Sequence, residues 1–412
     1  MTLSRTHRPL RLRSAALLGL AATGALALTG CVPNAGAGVA QALTVTSSAD
    51  GCVVSTDSVP SGPITFSVEN TGDQVTEFYV LAENELSIVG EVENIAPGAS
   101  RDLTLVAQPG NYFTVCKPGM VGAGIGQTPF TVTGNTVEVN ADDAEARDAA
   151  VANYTAYVKT QAAEMVPVVQ SFVDAYIAGD DAEAKRLFPL ARVNYERIEP
   201  TAEQFGDLDP KIDYRKPGAE AEGLEFTGFH RIEMDLWLDA AKGNYPGETI
   251  TALSPAERKV VGEQLVADIT TLYDLVHGDD FELTLGDITN GAVGLLDEVA
   301  APDGKLPGEE NEFSHTDLSD FVANVEGAQV AYQSVRDIAA STGDAGTTLT
   351  EELDTQFQAM LDLLATYETG EGVYVDYSTV DQEARNELGA QLNALSEPLS
   401  QLTHTVLGIS GA

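Results

Sequence analysis

Basic residues are scarce in this chain: 22 Lys and Arg stand against 63 Asp and Glu in 412 residues, a formal charge of −41. That deficit excludes a nucleic-acid partner, whose phosphates need a basic surface. It also excludes a peripheral hold on anionic lipid, and it suits a protein that attracts cations. Histidine is limited to five residues, and no two have the His-Glu-x-x-His spacing of a common zinc protease. Cysteine is limited to Cys31, Cys52 and Cys116. Beyond the first thirty residues no hydrophobic run is long enough to span a bilayer. No clear internal repeat is visible either.

What is present begins with a targeting segment over residues 1–30. Arg5, Arg8, Arg11 and Arg13 precede an apolar run from Ala15 to Leu28, too short for a comfortable span. The run ends in Leu28-Thr29-Gly30-Cys31, which resembles a bacterial lipoprotein cleavage site. On that reading Cys31 is lipidated and becomes the first mature residue; an ordinary secretory signal cut nearby is the alternative. Residues 31–41, rich in Gly, Ala, Pro and Asn, read as a flexible tether. Removing the signal takes four bases and no acids, leaving 18 bases against 63 acids, a charge of −45. About 380 mature residues exceed one typical domain, so at least two cores are expected.

The chain changes character near residue 140. Over 42–139, short segments rich in Val, Thr, Ile and Phe alternate with turns such as Pro60-Ser61-Gly62-Pro63 and Ala96-Pro97-Gly98. This spacing predicts an antiparallel β-sandwich. Over 140–412, apolar residues recur at three and four, predicting helices near 142–178, 181–206, 221–242, 254–277, 286–300, 317–341, 349–369 and 379–408. Long amphipathic helices with short links imply an all-α domain of helical bundles, and an α+β multidomain chain as a whole.

On the helix expected over 221–242, Phe226, His230, Glu233, Trp237 and Ala240 fall on one stripe. A stripe carrying Phe and Trp turns inward, so His230 and Glu233 are expected to be buried and to need partners. A metal ion is one partner, since His-x-x-Glu offers a nitrogen and an oxygen to one cation. The alternative is a His hydrogen-bonded to its own Glu in a helical core. Asp268 sits among Leu265, Leu272 and Val276, while Glu196 and Glu199 lie three apart near Tyr195 and Ile198. Each is either a core-facing ligand or a solvated surface acid.

Gly228-Phe229-His230-Arg231-Ile232-Glu233 with Leu236-Trp237 resembles the Gly-x-His-x-x-Glu motif of imelysin-type, peptidase-like domains. Tyr195-Glu196-Arg197-Ile198-Glu199-Pro200, Gly206-Asp207-Leu208-Asp209-Pro210-Lys211-Ile212-Asp213, Ser314-His315-Thr316-Asp317-Leu318 and Asn324-Val325-Glu326-Gly327 resemble the family's further motifs, in order. With a strand-rich domain in front, the chain resembles the EfeO-type family of exported iron-uptake lipoproteins. That resemblance implies a cupredoxin-like front domain and an imelysin-like rear domain made of a pair of helical bundles. It implies capture of ferrous or ferric iron at the outer face of the cell membrane or in the periplasm. A membrane iron permease and a companion haem-peroxidase-type protein are the implied partners.

Carried over residue by residue, the resemblance places helical-domain ligands at His230 and Glu233, with Glu196, Asp268 and Glu199 as further ones. In the front domain it points to Cys52, Glu77 and Cys116, with Glu91 and Glu93 as a second acidic cluster, for copper or iron. Residues 42–139 contain no His, so the two-His, one-Cys pattern of blue copper is absent. A Cys52–Cys116 disulfide is the alternative to a thiolate site. Carboxylates with one imidazole suit an iron carrier better than a hydrolase, although three such ligands can also hold a catalytic zinc. A structural or adhesive surface lipoprotein is the third reading. Metal affinity is expected to fall as the imidazole protonates near pH 6.5.

Overall fold

The computed structural model describes residues 41–81, 83, 88–107, 109–119, 124–135, 144–370 and 372–408. The signal segment, Cys31 and the tether up to residue 40 lie outside these, as does Met120, which in the sequence follows Cys116 as the one sign of a copper-type loop.

The strands are β1 (Gln41–Ser48), β2 (Gly51–Val54), β3 (Ser58–Pro60), β4 (Gly62–Asn70), β5 (Thr76–Leu81), β6 (Ile88–Ile95), β7 (Ser100–Ala107), β8 (Gly110–Cys116) and β9 (Ile125–Thr133). They form two sheets, in orders β2-β1-β4-β7 and β3-β9-β8-β5-β6. Alternate residues of the strands face inward, and Phe66, Phe78 and Phe130 meet at the centre with ring separations of 5.2 and 5.5 Å. A sandwich is what the alternation demands, but the sheets are mixed rather than purely antiparallel. After the β1–β2 hairpin the chain visits the other sheet as β3, so β4 returns beside β1 running the same way. β3 likewise runs parallel to β9.

Cys52 on β2 and Cys116 on β8 are joined in a disulfide that links the two sheets. Of the two readings open for these cysteines, the bonded pair is the one found. Alkylation of the unfolded, unreduced protein is therefore expected to modify neither thiol, and both should react once reductant is added. Labelling without reductant would place them as free thiols.

The helices are α1 (Ala144–Ala178), α2 (Asp181–Glu196), α3 (Glu199–Ala202), α4 (Asp209–Ile212), α5 (Lys216–Glu222), α6 (Gly228–Leu236), α7 (Leu238–Asn244), α8 (Pro255–His277), α9 (Leu285–Ala300), α10 (Asp317–Ala340), α11 (Asp344–Ala365), α12 (Gln382–Leu399) and α13 (Leu402–Leu407). A small hairpin, β10 (Glu368–Gly370) with β11 (Val373–Tyr374), follows α11. Two helices begin with reciprocal capping boxes, Ser254 with Glu257 and Thr284 with Asp287. Their apolar faces merge into one core, with Phe172, Phe188, Phe229, Leu272, Leu295 and Phe321 buried in it.

Three expected helices are broken, and two of the breaks shape the site. The helix expected over 181–206 stops at Glu196, where Arg197 and Ile198 turn the chain before α3. The one expected over 221–242 is interrupted before Gly228 and again at Trp237, whose φ of −105° and ψ of 50° are not helical. Phe226 therefore lies outside the helix of His230, in a satellite cluster with Met234 and Phe313. The one expected over 379–408 divides between α12 and α13.

The sandwich packs on the helical part through β6 against α9. Arg101 donates two hydrogen bonds, of 2.8 and 2.9 Å, to the Asp297 carboxylate, a paired geometry that fixes orientation. Asn94 donates to the Asp297 carbonyl at 2.6 Å, from a left-handed backbone with φ 56°.

Candidate metal centre

Gly228 begins α6 at φ +75°, and a Cβ there would lie 2.0 Å from the carbonyl oxygen of Ile212. A glycine is thus required for α6 to start against the end of α4, which brings His230 beside Asp213. Phe229, Ile232 and Leu236 anchor the helix in the core, while His230 and Glu233 are 1% and 0% exposed.

The His–Glu hydrogen bond and a ligand-like setting coexist here. His230 Nδ1 donates to Glu233 Oε2 at 2.9 Å, and Glu233 Oε1 accepts from the Phe313 and Ser314 amides at 3.2 and 2.8 Å. Glu233 is fully engaged in orienting the ring. Nε2 then points to Glu310 Oε1 at 3.1 Å and to Asp213 Oδ1 at 3.5 Å. His230, Asp213 and Glu310 offer ligand atoms lying within 4.8 Å of one another, enough to hold one cation. A His whose second nitrogen is fixed by a carboxylate is the usual arrangement of an imidazole ligand.

A second trio, Glu196, Glu199 and Asp213, shares Asp213 with the first. The break after α2 creates it, by turning Glu199 at the start of α3 back toward Glu196 at the end of α2. Arg192, one turn earlier on α2 and 0% exposed, bonds Glu196 and Asp213 closely, meets Asp320 at 2.8 Å and reaches Glu310 at 3.4 Å. Lys305, on the strap 301–316 between α9 and α10, bonds Glu298 closely. It lies 3.3 Å from Glu196, 3.5 Å from Glu199 and 3.9 Å from Glu310. Asn324 donates to Glu196 Oε2 at 3.1 Å and to Glu199 Oε2 at 3.4 Å.

The electrostatics follow from burying so many charges together. Burial and the Arg192 charge push the His230 pKa down, but hydrogen bonds to Glu233 and Glu310 and the Asp213 charge outweigh them and raise it to about 10. Burial lifts Asp213 to about 6 against the pull of Arg192 and His230. Burial and then repulsion from Glu196 hold Glu199 well above the usual carboxylate range. Burial acts on Glu310 in the same sense, yet Lys305, Arg215 and His230 keep it well below that range. These contacts favour the protonated ring at pH values above the ordinary imidazole range near 6.5. His230 holds its proton across the neutral range, and a cation must displace it.

Other expected ligands stand elsewhere. Asp268 on α8 is buried, but both its oxygens accept from Gln264, at 2.9 and 3.0 Å, and it joins neither trio. Its helical-face position was legible in the sequence, but its absence from both trios was not. Glu77 on β5 is buried and accepts from the Tyr79 hydroxyl at 2.6 Å; burial raises it to about 7, against the Lys117 charge. Glu91 and Glu93 lie on β6, and their side chains fall outside the described residues. Among the described residues no metal-capable group arises in the sandwich. Sequence reasoning gave no site role to Arg192, Asp213, Lys305, Glu310 or Asp320, although Asp213 closes one of the family motifs. The one signal for Glu310 was the acid run Glu309-Glu310-Asn311-Glu312, which lies between the helices expected over 286–300 and 317–341.

The imelysin family pattern matches residues 150–402, and the cupredoxin-like domain pattern matches residues 20–124. The iron uptake system component EfeO of Yersinia pestis is 35% identical over 354 residues, covering 85% of this chain and 87% of that protein. The EfeO of Escherichia coli K12 is 34% identical over 361 residues, covering 87% and 89%. The two patterns fall in the order of the two architectures, sandwich then helices. The chain belongs to the EfeO family of iron uptake system components, in which a cupredoxin-like domain precedes an imelysin domain.

Proposed function

We propose that this chain captures iron in the cell envelope and holds it at the His230, Asp213 and Glu310 trio for delivery to a membrane permease. The observation that carries this reading is the His230 Nε2, buried and facing two carboxylates while Nδ1 is held by Glu233. Iron takes mixed imidazole and carboxylate ligands, which is the donor set here. Calorimetric titration with Fe(II) under anaerobic conditions, and with chelated Fe(III), tests it. His230→Ala is expected to bind at least about tenfold more weakly, one ligand being lost, with its helical circular dichroism retained. Equal affinity in both proteins would sink the assignment.

A carrier is favoured over a peptidase because Glu233, the acid nearest the histidine, is occupied by the ring and two backbone amides. It is not free to serve as a general base. A haem-peroxidase-type companion belongs to the same reading, as partner of the carrier. With both cysteines of the front domain in a disulfide, a thiolate copper site there would require reduced chain.

Lipidation at Cys31 is the proposed means of retention. Cys31→Ala is expected to move the protein from the membrane fraction to the soluble fraction, because no described helix is long and apolar enough to cross a membrane. Unchanged membrane retention of the variant would refute the anchor.

A further inference from the structure

The strap 301–316 carries a feature that iron capture by the His230 trio does not use. Lys305 is 0% exposed, and its ammonium sits among four carboxylates, those of Glu196, Glu199, Glu298 and Glu310. Two of the four, Glu196 and Glu199, belong to the second trio. A buried ammonium there is a cation in place, bound by the same oxygens a metal ion would use.

Its position is built rather than incidental. Gly304, just before it, leaves no room for a side chain, since a Cβ would lie 2.1 Å from the Glu298 carbonyl oxygen. The Leu306 amide donates to the Val299 carbonyl at 2.9 Å, and Arg385 donates to the Pro307 carbonyl at 2.6 Å. Arg215 grips Asp303 at 2.6 Å. The strap thus holds the lysine stem at fixed depth. Further polar capacity lines the same cluster: Asp320 Oδ1 and Asn324 Oδ1 are buried with no hydrogen-bond partner among the described residues.

We propose that Lys305 is a specificity-determining residue, a tethered cation that fills the Glu196–Glu199 end of the cluster and confines the cargo to the His230 end. The inference rests on the iron-carrier reading of this cluster and concerns how many ions it takes. The ammonium supplies one positive charge and N–H donors to oxygens that would otherwise repel one another. Without it, those carboxylates and Asp213 present an oxygen-rich set suited to a second divalent ion. One lysine thereby separates a single-ion carrier from a two-ion site.

The test is stoichiometry, read by anaerobic Fe(II) titration calorimetry together with metal analysis of the desalted protein. Lys305→Gln is expected to bind one equivalent more than wild type, and Lys305→Arg the same number as wild type. Adding Glu199→Gln to Lys305→Gln should remove the extra equivalent. If Lys305→Gln does not fold without metal, the double variant Lys305→Gln, Glu298→Gln, which loses one carboxylate with the ammonium, is read the same way. Equal stoichiometry in wild type and the lysine-lacking variant overturns the proposal and leaves the His230 reading standing. One equivalent in Lys305→Gln with none in wild type would sustain the lysine's role and sink the His230 site. No binding in either protein overturns both.

Discussion

Replacing Arg192 by methionine is expected to destabilise the metal-free protein by about 3–5 kcal/mol, the cost of stripping one partner from a buried ion cluster. The guanidinium is fully buried and reaches Glu196, Asp213, Glu310 and Asp320. Its ring-side faces also lie 5.4 Å from the Phe229 ring and 5.9 Å from the Phe188 ring. Burial alone would discourage its charge, and the four acids keep it protonated. Methionine fills much of the same volume but leaves those carboxylates with Lys305 and His230 as their remaining buried cations. For a domain of this size the melting temperature should fall by roughly 10 °C. Arg186, which pairs with Glu183 on the surface at 2.6 Å, serves as the control; Arg186→Met should leave the melt unchanged. Saturating Fe(II) should recover part of the loss in Arg192→Met, because an ion bound only by the native state stabilises it. A variant that melts with wild type would mean that the acids do not need their central cation.

The second large effect is a fall in metal-free stability with rising pH. His230 has a folded pKa of about 10 against 6.5 when unfolded. A raised pKa means that the folded state binds the proton more tightly. The stabilisation is then complete below pH 6.5, declines above it and is lost as pH passes 10. Its slope is about 1.4 kcal/mol per pH unit within that window. The groups facing the ring are Glu233 on its own helix, Glu310 on the strap, Asp213 after α4, and Arg192 on α2. Asp213 and Asp317, raised by burial to about 6 and about 7, lose stability in the same direction but finish near neutrality. Between pH 7.5 and 9.5 His230 contributes its full slope, and Glu199 and Asp320, which burial holds well above the usual carboxylate range, add to it in the same direction. Chemical denaturation at closely spaced pH values in that interval should show it, and His230→Gln should make the curve shallower by about 1.4 kcal/mol per pH unit. A wild-type curve that is already flat would show that the imidazole is neutral in the folded protein.

How much of this was legible beforehand differs from residue to residue. The alternation of Val, Thr and Phe before residue 140 and the three-four spacing after it determine a sandwich followed by helices, because side-chain period follows backbone geometry. The inward turn of His230 and Glu233 was readable from a stripe with Phe226 and Trp237, but Phe226 lies outside α6 and Trp237 ends it, and Phe229, Ile232 and Leu236 are what anchor the helix in the core. Parallel pairing of β1 with β4 was not readable, because strand direction depends on where the chain goes between them. The Cys52–Cys116 bond was open for a similar reason. Two cysteines of suitable type become a disulfide only when two sheets bring them together.

The composition of the cluster was decided still later. Local patterns identify an acid that faces the core, and by that criterion Asp268 and Glu196 look alike. Only tertiary packing sends one to a glutamine on its own helix and the other to Arg192, Lys305 and Asn324. Glu310 and Lys305 lie in an irregular strap with no period to read, and their burial comes from its path beneath α6 and α9. Sequence alone therefore determined that this chain has a buried imidazole and carboxylate pair in an acidic helical domain. Which charges meet that pair depended on contacts between segments as much as 128 residues apart, as between Arg192 and Asp320. Those contacts are set by how helices and strap pack, and residue spacing along one element carries no record of them.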